Sequence, residues 1–240
     1  MHFNRIQGIF LNNWQFFLRG AINTVIISLI ATLIGFLIGL LVGIIRTVPE
    51  QKSGGKRIVQ WIANWLMSVY IEVFRGTPMM VQAMVIFYGV PLFTGYQLDR
   101  MLAAFFIVSI NTGAYMAEVV RGGILSVDKG QYEAAKAIGM NHVQTMVYVV
   151  LPQAIRNILP AVGNEFIINI KDTSVLNIIG VTELFFQTRT VAGINYFYFE
   201  TYFITSLIYL FMTFTITRIL RRIEDRMDGS KTYQLNQQQV

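Results

Sequence analysis

Residues 131–152 read Gln-Tyr-Glu-Ala-Ala-Lys-Ala-Ile-Gly-Met-Asn-His-Val-Gln-Thr-Met-Val-Tyr-Val-Val-Leu-Pro. This polar-to-amphipathic stretch lies between long apolar runs, and a membrane chain that keeps such an insert offers it to a cytoplasmic partner. Glu-Ala-Ala-Lys-Ala alone is merely good helix-forming sequence. The residues after it give the insert its shape. Gly139 is placed to end a first helix as a C′ glycine, and a second amphipathic helix over 141–150 leads into Leu151-Pro152. Two short helices meeting at a glycine make a compact knob. Ala134 and Ala135 are small enough to let that knob seat closely in a partner's groove. Such a knob carries force, because packed interfaces shift as rigid bodies.

The surroundings of the insert are those of a lipid-embedded chain. Of 240 residues, 54% are hydrophobic and 13% are charged, about half the charged share of a soluble domain. Spans are expected near 20–45, 77–93, 101–121, 154–172 and 201–220, each close to the roughly 20 apolar residues that cross a bilayer. The run 21–45 is too long for a secretory signal and ends at Arg46 without a small-residue cleavage site, so it reads as a retained span. Residues 1–19 read as an extracytoplasmic amino-terminal segment, 20–220 as one transmembrane domain with its loop at 122–153, and 221–240 as a cytoplasmic tail. The polar, Gln-rich end of that tail, 230–240, reads as disordered.

Lysine and arginine placement orients the chain. With five spans and the amino terminus outside, 13 of the 19 basic residues fall on the inner side: Arg46, Lys52, Lys56, Arg57, Arg121, Lys129, Lys136, Arg156, Arg218, Arg221, Arg222, Arg226 and Lys231. Arg5, Arg19, Arg100 and Arg189 fall outside. The asymmetry predicts amino terminus out and carboxyl terminus cytoplasmic. Trp14, Trp61 and Trp65 flank spans, where indole rings favour the headgroup level. Ile58, Ile62, Trp65, Val69 and Val73 recur at helical spacing, and Gly54-Gly55 breaks the chain before them, so 56–74 reads as a helix at or rising from the inner interface. Arg75-Gly76-Thr77-Pro78 reads as the start of the next span, with proline at the first helical position and Thr77 as its candidate cap. Arg75, in apolar surroundings, must pair or snorkel. The stretch 175–186 carries Gly180, Thr182 and Glu183 and reads as a half-span or re-entrant piece, tolerated where protein covers it.

Gly35, Gly39 and Gly43 form two overlapping Gly-x-x-x-Gly units that allow close helix approach, within the chain or in a dimer. Two polar trios lie inside spans. Asn111, Tyr115 and Glu118, and likewise Glu165, Asn169 and Asp172, fall at i, i+4 and i+7, so each trio shares one helical face. Intramembrane charges cost about 2.5–3.5 kcal/mol at mid-span. They therefore either pair internally, as Glu118 with Arg121 or Lys171 with Asp172, or line a wet pathway for a zwitterionic solute. Glu165 is the candidate contact for a substrate ammonium.

The pattern Glu133-Ala134-Ala135, three residues, Gly139, nine residues, Val149, one residue, Leu151-Pro152 resembles the docking loop of permease subunits in bacterial ATP-binding-cassette importers of type I, with Val149 where that family usually has Ile. Phe-Arg-Gly-Thr-Pro-Met-Met-Val-Gln at 74–82, Tyr-Met-Ala-Glu-Val-Val-Arg-Gly-Gly at 115–123, Asn-Glu-Phe-Ile at 164–167 and Lys-Asp-Thr-Ser at 171–174 are similar to the polar amino acid permeases of that family. The resemblance runs from about 20 to 220 and implies an all-α integral membrane subunit with about five spans in the bacterial cytoplasmic membrane. It further implies Glu133, Ala134, Ala135, Gly139, Leu151 and Pro152 as the contact with cytoplasmic ATPase subunits that hold ATP and Mg. A second permease subunit, identical or related, and an extracytoplasmic solute-binding protein are the other implied partners. Glutamine, glutamate, arginine, histidine and cystine all suit the resemblance, and a glutamine-like solute is preferred among them.

The sequence has no Gly-x-x-x-x-Gly-Lys-[Ser/Thr] loop, no His-Glu-x-x-His and no Gly-x-Ser-x-Gly. No catalytic residue is assigned, and with no cysteine and only His2 and His142, no metal site is expected. The chain is expected to bind no cofactor and no nucleic acid. An ion-driven secondary transporter is the alternative: it would use Glu118, Glu165 and Asp172 for coupling, but such folds commonly show paired repeats, which are not evident here. A membrane enzyme would need a nucleophile–base pair that the sequence does not offer.

Overall fold

The computed structural model describes residues 2–49 and 54–227, and every described segment of regular structure is helical. Lys52, Lys231 and the tail from 228 onward lie outside the described residues. The first helix, α1 (His2–Ile45), has 44 residues and is about 66 Å long at 1.5 Å per residue, twice the hydrocarbon thickness. Residues 2–19, expected from the sequence as an extracytoplasmic segment, are helix continuous with 20–45. Ile9 and Phe17 are buried against Ile204 and Val191, which carries the helix on toward its amino-terminal end. Next come α2 (Gly55–Gly76), α3 (Met79–Thr94) and α4 (Arg100–Leu125).

The segment after α4 folds as α5 (Lys129–Ala137), a single turn α6 (His142–Gln144), and a π-helical turn (Thr145–Val150) that runs straight into α7 (Leu151–Asp172). A 3₁₀ segment (Thr173–Ile179), α8 (Leu184–Asn195) and α9 (Tyr198–Met227) complete the chain. Among the described residues four stretches are long and apolar enough to cross a membrane: Asn4–Ile45, Arg100–Leu125, His142–Ile179 and Tyr198–Met227. A fifth exists only if α2 and α3, bent by 111° at their junction, are taken together. The span expected at 77–93 is α3, and its 16 residues give only about 24 Å. Thr77 closes α2 rather than capping α3, its hydroxyl donating to the Val73 carbonyl at 2.7 Å, and Pro78 stands just outside α3.

The glycine repeat packs within the chain. A Cβ on Gly35 or Gly43 would lie 2.7 or 2.6 Å from the side chains of Thr112 and Val120, and one on Gly39 would be closer still to Met116. The backbones of α1 and α4 thus touch along the repeat, and Ile27, Ala31, Ala104, Ile107 and Val108 extend the seam as fully buried core. The 175–186 stretch is the expected interruption. Gly180 turns the chain at φ 78°, and Leu176, Ile179, Val181 and Leu184 are buried around it. Irregular backbone survives in a membrane when protein covers it. Here Glu183, itself buried, accepts from the backbone N–H groups of Phe185 and Phe186 at 2.8 and 2.7 Å and so caps α8.

Candidate functional site

The knob is built almost wholly from contacts between near neighbours in sequence. Asp128 caps α5 by accepting from Gly130 N–H at 2.7 Å. At the other end Gly139 adopts φ 85°. The chain closes there with Met140 N–H donating to Ala135 carbonyl and Gly139 N–H to Lys136 carbonyl, both at 3.0 Å. This is the left-handed helix end that favours glycine. Asn141 then starts the next turn with a capping box: its side chain accepts from Gln144 N–H at 2.9 Å, while the Gln144 side chain accepts from Asn141 N–H at 3.0 Å.

The second helix expected over 141–150 is one α-turn followed by the π-turn. Pro152 accounts for that change. It lacks an N–H, and its ring crowds the carbonyl four residues earlier; widening the turn so that Leu151 N–H reaches the Met146 carbonyl relieves both problems. The wide turn also directs Met146 and Val150 into a cluster with Val120, Ile124, Ala154 and Ile158. Gln153 adds a tie to α5, donating to Gln131 Oε1 at 3.3 Å and to the Val149 carbonyl at 2.8 Å. Tyr132 donates to the Ile124 carbonyl at 3.3 Å, and burial pushes its phenol up in pKa, so it remains a donor.

Within the knob the two alanines differ. Ala134 is exposed, whereas Ala135 is buried at 3% and packs inward, so only Ala134 is free to meet a partner. Glu133, Gly139 and Pro152 are exposed and Leu151 packs against the cluster beneath. Ile138, Val143, Val147 and Tyr148 add exposed apolar surface to the same element, with Ile138 75% exposed. The sequence reading missed these four. The signal was available in their placement on either side of Gly139, on the outward side of an amphipathic turn.

The polar trios meet different fates. Asn111 donates to the Phe74 carbonyl at 3.2 Å and to Gln82 Oε1 at 2.9 Å. Gln82 in turn donates to the Phe74 and Thr77 carbonyls at 3.0 and 2.9 Å. These two side chains satisfy carbonyls that the α2–α3 break leaves without helical partners. Glu118 pairs with Arg121 at 2.9 Å and also with Arg46 at the end of α1. The ion pair inside α4 is thus present, and a second arginine that the sequence reading did not connect joins it. Asn169 is 3% exposed; it donates to Thr32 at 2.9 Å and accepts from Thr112 at 3.1 Å, tying α1, α4 and α7 together. It is a structural tie and does not line an open path.

Tyr115, Glu165 and Asp172 remain. Tyr115 is 38% exposed on α4. Asp172 is exposed, Glu165 is half-buried, and neither carboxylate has a hydrogen bond or ion pair among the described residues. Charge without a partner at this depth calls for water or a cationic ligand. No group of three or more histidine, cysteine or acidic residues capable of holding a metal occurs among the described residues.

The sequence pattern of a family described as the binding-protein-dependent transport system inner membrane component matches residues 53–229. The chain is 44% identical over 168 residues to the glutamine transport system permease protein GlnP of Escherichia coli (strain K12), covering 70% of this chain and 77% of that one. It is 36% identical over 166 residues to the arginine transport system permease protein ArtQ of Bacillus subtilis (strain 168), covering 69% and 76%. A crystal structure of an amino acid ABC transporter with histidines superimposes with TM-score 0.79 at 38% identity, over 90% of this chain and 96% of that one. The inward-facing MetNI methionine ABC transporter, at 20% identity and TM-score 0.72 over 89% and 97%, shares the fold.

Proposed function

This chain belongs to the family of binding-protein-dependent transport system inner membrane components and is a multi-pass permease subunit of an ATP-driven importer in the cytoplasmic membrane; from that premise we propose that it carries polar amino acids, with a glutamine-like solute first among them. The similarity to a glutamine permease at 44% identity is the observation that carries the solute. The unpartnered carboxylates of Glu165 and Asp172 agree with it, since a zwitterion brings an ammonium that they can meet.

The same reading supplies the remaining partners. Cytoplasmic ATPase subunits, holding ATP and Mg, grip the knob around Glu133, Ala134, Gly139 and the apolar side chains Ile138, Val143 and Tyr148. The knob lies on the cytoplasmic side, with the amino terminus outside. A second permease subunit, identical or related, completes the pathway, and an extracytoplasmic binding protein delivers the solute. Closure of the ATPase pair draws the two knobs together. Because each knob is fused to α4 and α7 through the buried Val120–Ile158 cluster, its displacement tilts those helices as bodies and favours the outward-open arrangement. Hydrolysis lets the knobs separate and reopens the inner side.

The test is reconstitution of the permease with its ATPase and binding protein in liposomes. ATP hydrolysis stimulated by loaded binding protein, with uptake of glutamine ahead of arginine and cystine, is the expected result. Uptake that ignores ATP depletion but collapses with a proton uncoupler would overturn the reading.

A further inference from the structure

We infer that Arg75 is the residue that receives the solute's α-carboxylate at mid-membrane, and that it selects amino acids over compounds lacking that carboxylate. This rests on the chain's being an amino acid permease.

Depth comes first. The carboxyl end of α2 is pinned to the middle of α4. Tyr70 donates to the Ile110 carbonyl at 2.6 Å, Asn111 donates to the Phe74 carbonyl at 3.2 Å, and the Arg75 guanidinium lies 5.5 Å from the ring centre of Tyr115. Tyr115 is about 22 Å from the start of α4 and about 15 Å from its end at 1.5 Å per residue. Arg75 is thus deep in a span, exposed, and without an ion-pair partner among the described residues. Glu72, one turn earlier and also exposed, does not pair with it.

Three other arginines of the bundle have polar partners. Arg46 and Arg121 share Glu118, and Arg189 donates to Asn177 Oδ1 at 2.8 Å. An arginine left unpaired at such depth faces water or an anion.

The geometry suits a carboxylate. The Arg75 guanidinium carbon lies 5.5 Å from the Tyr115 ring centre, a cation–π distance, and a guanidinium offers paired N–H groups for a two-pronged contact with a carboxylate. The 111° break directly after Arg75 is held by Gln82 and Asn111, so the site is set before a ligand arrives. The opposite charge is at the same level. Thr112, less than one turn from Tyr115, bonds to Asn169 at 3.1 Å, and Glu165 and Asp172 flank Asn169 on α7. A zwitterion in this slab has a cation and two carboxylates within the same layer of the bilayer.

The experiment uses the complete transporter, comparing Arg75→Lys and Arg75→Ala with the parent. Equilibrium binding of radiolabelled glutamine to the detergent-solubilised permease–ATPase complex is measured against glutaminamide, which lacks the α-carboxylate. The parent should favour glutamine by tenfold or more. Arg75→Ala should bind the two alike, and Arg75→Lys should keep a reduced preference. Preserved preference in a monodisperse Arg75→Ala complex would overturn the inference, as would recovery of an Arg75→Glu defect by Glu72→Arg, which would assign Arg75 to an internal pair. If Arg75→Ala fails to assemble, Arg75→Gln and Tyr115→Leu carry the same comparison. A parent complex that transports no amino acid defeats the permease reading itself, so the two failures are distinct.

Discussion

The docking knob and the polar layer between the long helices are both rich in hydrogen bonds, but they are held together over very different distances along the chain. In the knob, Met140 closes on Ala135, Asn141 and Gln144 cap each other, and Asp128 caps Gly130. In the polar layer, Arg46 reaches Glu118, Thr112 reaches Asn169, and Asn169 reaches Thr32, across 72, 57 and 137 residues. Local sequence dictates the first kind of contact, because turn chemistry depends on residues a few positions apart. Only the packing of α1, α4 and α7 creates the second. The knob therefore suits a rigid handle, and the polar layer suits a structure whose partners change when helices move.

Four substitutions probe that contrast, beginning with the largest effect. Gly39→Leu drives a side chain into Met116 where α1 and α4 touch, and overpacking of this kind costs roughly 1–3 kcal/mol or more. The thermal unfolding temperature of the purified Gly39→Leu permease should drop sharply, while amide exchange over 128–144 should speed up less than along α1 and α4; equal loss in both would erase the distinction between local and long-range order. Gly139→Val forces a β-branched residue to φ 85° at roughly 1–2 kcal/mol. No neighbouring atom lies within 4 Å of a Cβ there, so the span bundle should unfold as before while uptake per ATP hydrolysed falls; vigorous coupled uptake would count against the docking role.

Asn169→Leu removes two interhelical bonds worth about 0.6 kcal/mol each in a membrane, a loss of about 1 kcal/mol in unfolding assays. Solute affinity should change less than in Glu165→Gln, and the reverse order would return Asn169 to the pathway. Asn141→Ala deletes the cap of the second turn, typically about 1 kcal/mol in a full helix and less in this short one. It should show as faster amide exchange confined to 141–150.

Much of the knob could be read directly. Gly139 ends a helix in the left-handed region as its position implied, and Asn141 and Gln144 form the cap that their three-residue spacing permits. The π-turn was hidden, because its cause is Pro152 acting on a turn already in place. Within the spans, helical spacing assigned each trio to one face, but identical spacing led to different surroundings. On α4 the face is partly closed by Gln82 and Arg46. On α7 it puts Asn169 into the core and leaves Glu165 and Asp172 on its margins. Periodicity reports which side chains point together, not which helix they point toward.

Composition and near neighbours in the chain were enough to establish the apolar lengths that demand lipid, the helical class, and the turn that makes a handle between two spans. The tertiary structure decided which buried polar groups are tied and which are free. In a bilayer each such group needs a partner, and the candidates lie tens of residues away. Arg46 and Arg75 look alike in the sequence; only the fold brings a carboxylate to the first and an aromatic face to the second.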